Sequence, residues 1–220
     1  MCAPSLRKSS VAMCLLVLYL TVPPVQADVI GIGVDAFGPG STLTTFTGLP
    51  LGTEVNGLTV DGILYTHSLG NGHIQISRGL NSNNIQGEFI TEGRFSREGG
   101  SLTLTFPSFI SAFGYGFAVD HTPFPGPGTT ITGIQLFSGA TNVGSGGSAA
   151  APDPISPGGF AGIQSTIPFN RATVTFFNDR SLGLYMDNVR TVGVPEPSTF
   201  VLLGTGIGLL WSWRRIRRYR

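Results

Sequence analysis

The stretch Ser101-Leu-Thr-Leu-Thr-Phe106 constrains the fold more than any other feature. Leu102, Leu104 and Phe106 alternate with Thr103 and Thr105. A period of two puts the apolar side chains on one face of a strand and the hydroxyls on the other. The alternation recurs. Phe113, Tyr115, Phe117 and Val119 alternate with small residues, and Val174 and Phe176 alternate with Thr173 and Thr175. Thr-Thr-Ile-Thr-Gly-Ile-Gln-Leu-Phe, ending at Phe137, and the stretch from Asp28 to Phe37 also read as strands. No helical stripe of ten residues interrupts them between Asp28 and Val192. Thirty-two glycines and fifteen prolines supply tight turns. The expected fold class is therefore all-β: a single antiparallel β-sandwich or jelly-roll ectodomain over residues 28–193. Fourteen of its residues are phenylalanines, enough to fill the layer between two sheets. Residues 139–159 are small, polar and broken by prolines, and are expected as one mobile loop between late strands.

Charge is segregated. The chain is formally +1, yet the span 28–197 holds six arginines against twelve acids, a net of −6. An acidic body has no footprint for phosphate backbones, so nucleic acid is not an expected partner.

The two ends carry the positive charge and the long apolar runs. Arg7 and Lys8 precede an apolar stretch from Val11 to Val22, and Val25-Gln26-Ala27 follows with small residues. This is the three-part pattern of a signal peptide, residues 1–27, cut by signal peptidase after Ala27. Pro23-Pro24 and the shortness of the run argue against an uncleaved anchor. Cys2 and Cys14, the only cysteines, lie before the cut, as does the only lysine, Lys8. The mature chain then has no disulfide, thiolate ligand or lysine nucleophile.

At the other end, residues 199–213 are uncharged and mostly apolar. As a helix they extend about 22 Å, short of a hydrocarbon core of roughly 30 Å. Trp211 and Trp213 suit the lipid–water boundary, and Arg214, Arg215, Arg217, Arg218 and Arg220 reach toward headgroups. Residues 199–213 are thus expected as one C-terminal transmembrane helix in contact with membrane lipid. The basic end, 214–220, stays in the cytoplasm and the body faces outward. Gly204 and Gly208 have the spacing of a helix-pairing motif, though small residues are ordinary in membrane spans.

The tail 194–220 resembles the PEP-CTERM sorting domain, also called the ice-binding protein C-terminal domain. Val194-Pro-Glu-Pro-Ser198, a glycine-containing apolar run and a basic terminus carry the likeness. It implies an exosortase substrate in a Gram-negative, polysaccharide-producing bacterium. Pro195, Glu196 and Pro197 would be the recognition motif, with cleavage at or near it. The implied route crosses the inner membrane, pauses as a membrane-anchored precursor, and ends at the cell surface or outside the cell. The body, too, is similar to a recurrent ectodomain pattern of such proteins, in Phe-Thr-Gly-Leu-Pro-Leu-Gly near the start, the Phe106–Asp120 stretch, and a last strand ending Asp187-Asn188-Val189.

Chemistry is sparse. His67, His73 and His121 form no zinc motif, and no nucleophile elbow or phosphate loop is present. Glu88, Glu92 and Glu98 sit among Arg94 and Arg97 and are expected as solvated charges. The expectation is a non-enzymatic structural or binding component of the surface or polysaccharide matrix, with a jelly-roll hydrolase or lyase acting on polysaccharide as the alternative. Tyr65, Tyr115 and Tyr185 are the candidates for a sugar platform, with Tyr115 more suited to the core. No cofactor is expected. Calcium is the one ion with candidates, Asp187 and Asn188 joined by Asp35 or Glu54; the plainer alternative has Asp187 satisfied by backbone donors. Alternate threonines invite comparison with ice-binding faces, but no fixed-period repeat accompanies them.

Overall fold

The computed structural model describes residues 27–80, 85–93, 100–119, 130–149, 151, 156–176 and 183–194. Among them there are eleven strands and one 3-10 turn, Val34–Ala36. The strands are β1 (Val29–Gly31), β2 (Thr42–Thr44), β3 (Thr59–Val60), β4 (Ile63–His67), β5 (Ile74–Arg78), β6 (Glu88–Gly93), β7 (Ser101–Val119), β8 (Thr130–Ser138), β9 (Thr141–Ala149), β10 (Gly158–Phe176) and β11 (Gly183–Gly193). Every pairing between them is antiparallel. The all-β expectation holds. The signal segment to Gln26 and the whole of residues 195–220, with the expected transmembrane helix, lie outside the described residues.

The two layers of the sandwich are one hydrogen-bonded sheet, ordered β5-β6-β11-β7-β10-β8-β9. Two nineteen-residue strands, β7 and β10, make this possible by running through both layers. The first part of β7 pairs with β4 on one side and the end of β10 on the other. The second part pairs with β11 and the start of β10. Between these halves the β7–β10 register slips twice, between Gln164 and Phe169 and between Phe169 and Arg171. Bulges of this kind bend a strand and increase its twist, which turns one sheet into two facing halves.

The interior closes across that fold. Tyr115 of β7 hydrogen-bonds through its hydroxyl to Thr132 of β8. Its ring lies 6.2 Å from that of Phe176 on β10. Phe106 contacts both Phe113 and Phe169 at the bend. Phe46, which follows β2, meets Tyr65 of β4 edge-on at 5.6 Å. Each expected inward residue of β7 (Leu102, Leu104, Phe106, Phe113, Tyr115, Phe117, Val119) is buried. The opposite face of the second half of β7 is covered as well. Phe160 lies so close to Gly114 that a Cβ there would come within 2.6 Å of its ring. Ile85 and Phe89 pack with Ala118 in a smaller cluster.

The segment expected as one mobile loop, 139–159, differs. Among its described residues, Gly139 and Ala140 form a turn, and Thr141–Ala149 is strand β9, paired along β8. The glycines are packing residues. A Cβ at Gly144 would fall 2.3 Å from Cγ2 of Val29, and one at Gly146 would fall 3.1 Å from Cδ1 of Ile163. At Gly144 the strand passes too close to Val29 for a side chain, so composition that reads as loop marks a close approach of β1 and β9.

Candidate functional site

Three places on the body have functional potential, and they are separate. The first is the junction where the sheet meets the tail. β11 runs to Gly193, opposite Ile110 of β7, and the Val194 N–H donates to the Phe109 carbonyl at 3.4 Å. Beside this exit is a groove of about 630 Å³ walled by Phe109, Ile167, Pro168 and Val194, with the hydroxyls of Ser108 and Ser138 at its margin. Phe109 is 50% exposed. The groove sits at the bend because the register slips of β10 leave residues 106–109 and 165–168 without partners in the β7–β10 ladder. At the opposite end of the chain, Ala27 packs against the core. Asp28 is already tied into the sheet. Its N–H donates to Thr166 Oγ1 and its carbonyl accepts the Thr166 N–H, both at 3.0 Å. The body is thus hydrogen-bonded from the residue after the expected signal cut to the residue before Pro195.

The second place surrounds Asp187. This carboxylate is fully buried. Oδ2 accepts the Gln86 N–H at 3.1 Å, while Oδ1 has no hydrogen-bond partner among the described residues. Burial pushes its pKa up to about 6, against the opposing effect of the backbone N–H groups of Gln86 and Asn188. Asn188 carries a positive φ of 51°, at the β11 bulge between Asp187 and Arg190. The fully buried Tyr65 feels the same carboxylate. Its phenol is pushed far up, first by burial and then by Asp61 and Asp187. The proposed calcium partners are elsewhere. Asp35 is exposed on the 3-10 turn. Glu54 is engaged by the N–H groups of Asn56 and Gly72, at 3.1 and 2.7 Å. No group of three His, Cys, Asp or Glu side chains gathers among the described residues. The backbone-donor alternative accounts for one oxygen of Asp187.

The third place is the outward face of β4, β7, β10, β8 and β9. Register aligns Thr66, Thr103, Thr173, Gln135 and Ser145 in one row across five strands. Thr103 and Thr173 join their hydroxyls at 3.2 Å. Next to the row, Gly133 and Gly147 pair and floor a polar depression of about 380 Å³ with Gln135, Ser145 and Thr175 around it. Arg171 caps the ring of Phe137 at 4.5 Å. The periodicity of β7, β8 and the end of β10 was readable alone. The row was not, because it depends on the register among strands far apart in sequence.

Two further expectations change. Glu88 is not a solvated charge. It is buried and paired with Arg78. Strand β6 places it on the face it shares with Ile90 instead of leaving it in a polar loop. The side chains of Glu92 and Glu98 lie outside the described residues. Tyr65 cannot be a sugar platform, since it is fully buried beneath Phe46. Tyr115 is core as expected, and Tyr185 is half-buried with its ring 5.2 Å from that of Phe89.

A family profile described as the PEP-CTERM protein-sorting motif matches residues 193–218. The chain carries a PEP-CTERM sorting motif. The PEP-CTERM match begins on Gly193, the last residue of β11. Pro195, Glu196, Pro197, Trp211, Trp213 and Arg214 to Arg218 fall within it, and all lie outside the described residues, as does Arg220. The motif implies export and membrane-anchored sorting to the cell surface by an exosortase. No curated protein matches the chain. Among solved structures, the K2 cleaved adhesin domain of Lys-gingipain is 12% identical, with a TM-score of 0.47, over 71% of this chain and 100% of that one. A family 29 carbohydrate binding module is 11% identical, with a TM-score of 0.40, over 70% of this chain and 92% of that one. Modules of the Clostridium thermocellum endo-1,4-beta-D-xylanase 10B are 15% identical, with a TM-score of 0.34, over 70% of this chain and 28% of that one.

Proposed function

We propose that the chain is a precursor exported across the inner membrane of a Gram-negative bacterium and held there by its tail. An exosortase then cuts at or near Pro195-Glu196-Pro197 and passes the β-sandwich to the surface or the extracellular polysaccharide layer. The observation that carries this reading is the PEP-CTERM match starting at Gly193, where β11 leaves the sheet. A folded body is joined to a sorting handle with no spacer domain between them. Replacing Pro195, Glu196 and Pro197 by alanines should leave the full-length form in the membrane fraction. Unchanged processing of that variant would overturn the reading.

In the matrix the body works as a structural or binding module and not as a catalyst. Support comes from the outward row Thr66–Thr103–Thr173–Gln135–Ser145 and the glycine-floored depression beside it. Hydroxyls and an amide at strand spacing, about 4.8 Å apart, match the hydrogen-bonding groups of a neutral glycan chain. Co-sedimentation with the exopolysaccharide should weaken when Gln135 and Thr173 are both changed to alanine, with folding unchanged. Release of new reducing ends by the unmodified protein would favour the alternative, a hydrolase or lyase with two carboxylates about 5–9.5 Å apart.

A further inference from the structure

The groove beside the tail exit has an orientation that follows from chain length. Val194 is its wall, and the apolar run begins at residue 199. Five residues span at most about 17 Å even when fully extended. So long as the run is in the bilayer, this corner of the body is the part nearest the membrane. It is also apolar. Phe109 is half exposed, Ile167 and Pro168 flank it, and among the described residues no charged side chain lines the groove. The body as a whole carries a net −6 across residues 28–197. An anionic lipid surface repels such a body, and an uncharged apolar corner is where it approaches with least cost. An exposed aromatic with aliphatic neighbours is suited to the boundary between headgroups and acyl chains.

We propose that this corner rests on the lipid surface of the inner membrane while the tail is uncut, with Phe109 seated among the headgroups. The tail thereby holds the body at a fixed tilt, and the Pro-Glu-Pro segment leaves from a lipid-docked edge. Cutting the tail removes the tether, and the single aromatic contact is too small to keep the body on the membrane.

The inference rests on the membrane-held precursor proposed above, and one preparation separates the two. Because both native cysteines precede Ala27, the signal-processed precursor takes a single labelled cysteine. Phe109→Cys tests the corner. Leu51→Cys, 58% exposed beside Gly52, which bonds to β5, is the control on a strand edge away from the exit. Each is labelled with an environment-sensitive fluorophore and reconstituted in vesicles of phosphatidylethanolamine and phosphatidylglycerol containing a shallow nitroxide-bearing lipid. Emission at 109 should fall about twofold or more, as for an interfacial side chain, while that at 51 should not. Failure of the precursor to float with the vesicles would refute the membrane-held reading itself. Flotation without quenching at 109 would overturn only the docking inference. Shielding at 109 confined to membranes that contain the exosortase would also overturn it, by giving the groove to that enzyme.

Discussion

The Tyr115 hydroxyl and Thr132 Oγ1 are hydrogen-bonded across the interior, joining the tail-proximal half of the sheet to β8 in the opposite half. Thr132 passes the link on, donating to the Thr175 carbonyl at 3.2 Å. Tyr115→Phe keeps the ring packing and removes the bridge. Thr132 retains an acceptor, so the loss should be about 1 kcal/mol, the net value of one buried hydrogen bond. A denaturant midpoint with an unchanged m-value checks this. No loss would mean that the ring alone holds the halves together.

Asp187 should make the fold weaker as pH rises. Its carboxyl is held protonated up to about 6, against an ordinary value of 3.8. Below the ordinary value both folded and unfolded chains are protonated there, and the site costs nothing. As pH rises from there to about 6, the unfolded chain loses the proton more easily, so stability falls and then levels off. The full effect is at most about 3 kcal/mol for a shift of two units. Asp187→Asn keeps an acceptor for the Gln86 N–H and cannot ionise. The variant should gain stability over the wild type progressively between pH 4 and 6. Parallel melting curves across that range would remove Asp187 as the cause.

Gly158 faces backbone. A Cβ there would stand 2.2 Å from the Phe117 carbonyl oxygen, which cannot move without breaking the β7–β10 ladder. Gly158→Ala should cost roughly 3 kcal/mol or prevent folding, as overpacking against rigid structure does. Gly33 has nothing within 4 Å, and Gly33→Ala should stay within about 0.5 kcal/mol of wild type. Urea unfolding of the two variants side by side tests the contrast.

Arg78 and Glu88 should respond unequally. The carboxylate is buried, whereas the Arg78 side chain is 59% exposed. Arg78→Ala strands a buried negative charge. Glu88→Ala releases the arginine to solvent. The first should destabilise more than the second, by about 1–2 kcal/mol at neutral pH. Equal melting temperatures would show the pair to be a surface contact.

The sequence carried the strands whose two faces differ in polarity. Leu102, Leu104 and Phe106 were readable because threonines separate them. Asp61-Gly62 also carried a turn signal: both residues adopt positive φ, at 49° and 81°, in the tight β3–β4 hairpin. β9 was hidden because glycines at 144, 146 and 147 leave Val143 as its one buried apolar residue, and only the folded sheet reveals the close approach of Gly144 to Val29. Glu88 was misread for a related reason: its partner Arg78 is aligned by β5–β6 pairing, ten residues away. The sorting motif was legible because its pattern is local in sequence, and the family profile matches it at residues 193–218.

The position of β11 has a consequence for timing. It is the final strand of the body, yet it is inserted between β6 and β7, with β2 also alongside. Among the described strands the β5–β6 pair enters the sheet ladder through it, while β5 is also hydrogen-bonded to residues 52–55. On the export route proposed above, a chain threaded outward from its amino end would present β11 after all the strands it pairs with. On that route the sheet would close only once Gly193 is out, with the apolar run 199–213 next in line, so completion of the fold would coincide with the arrival of the sorting tail.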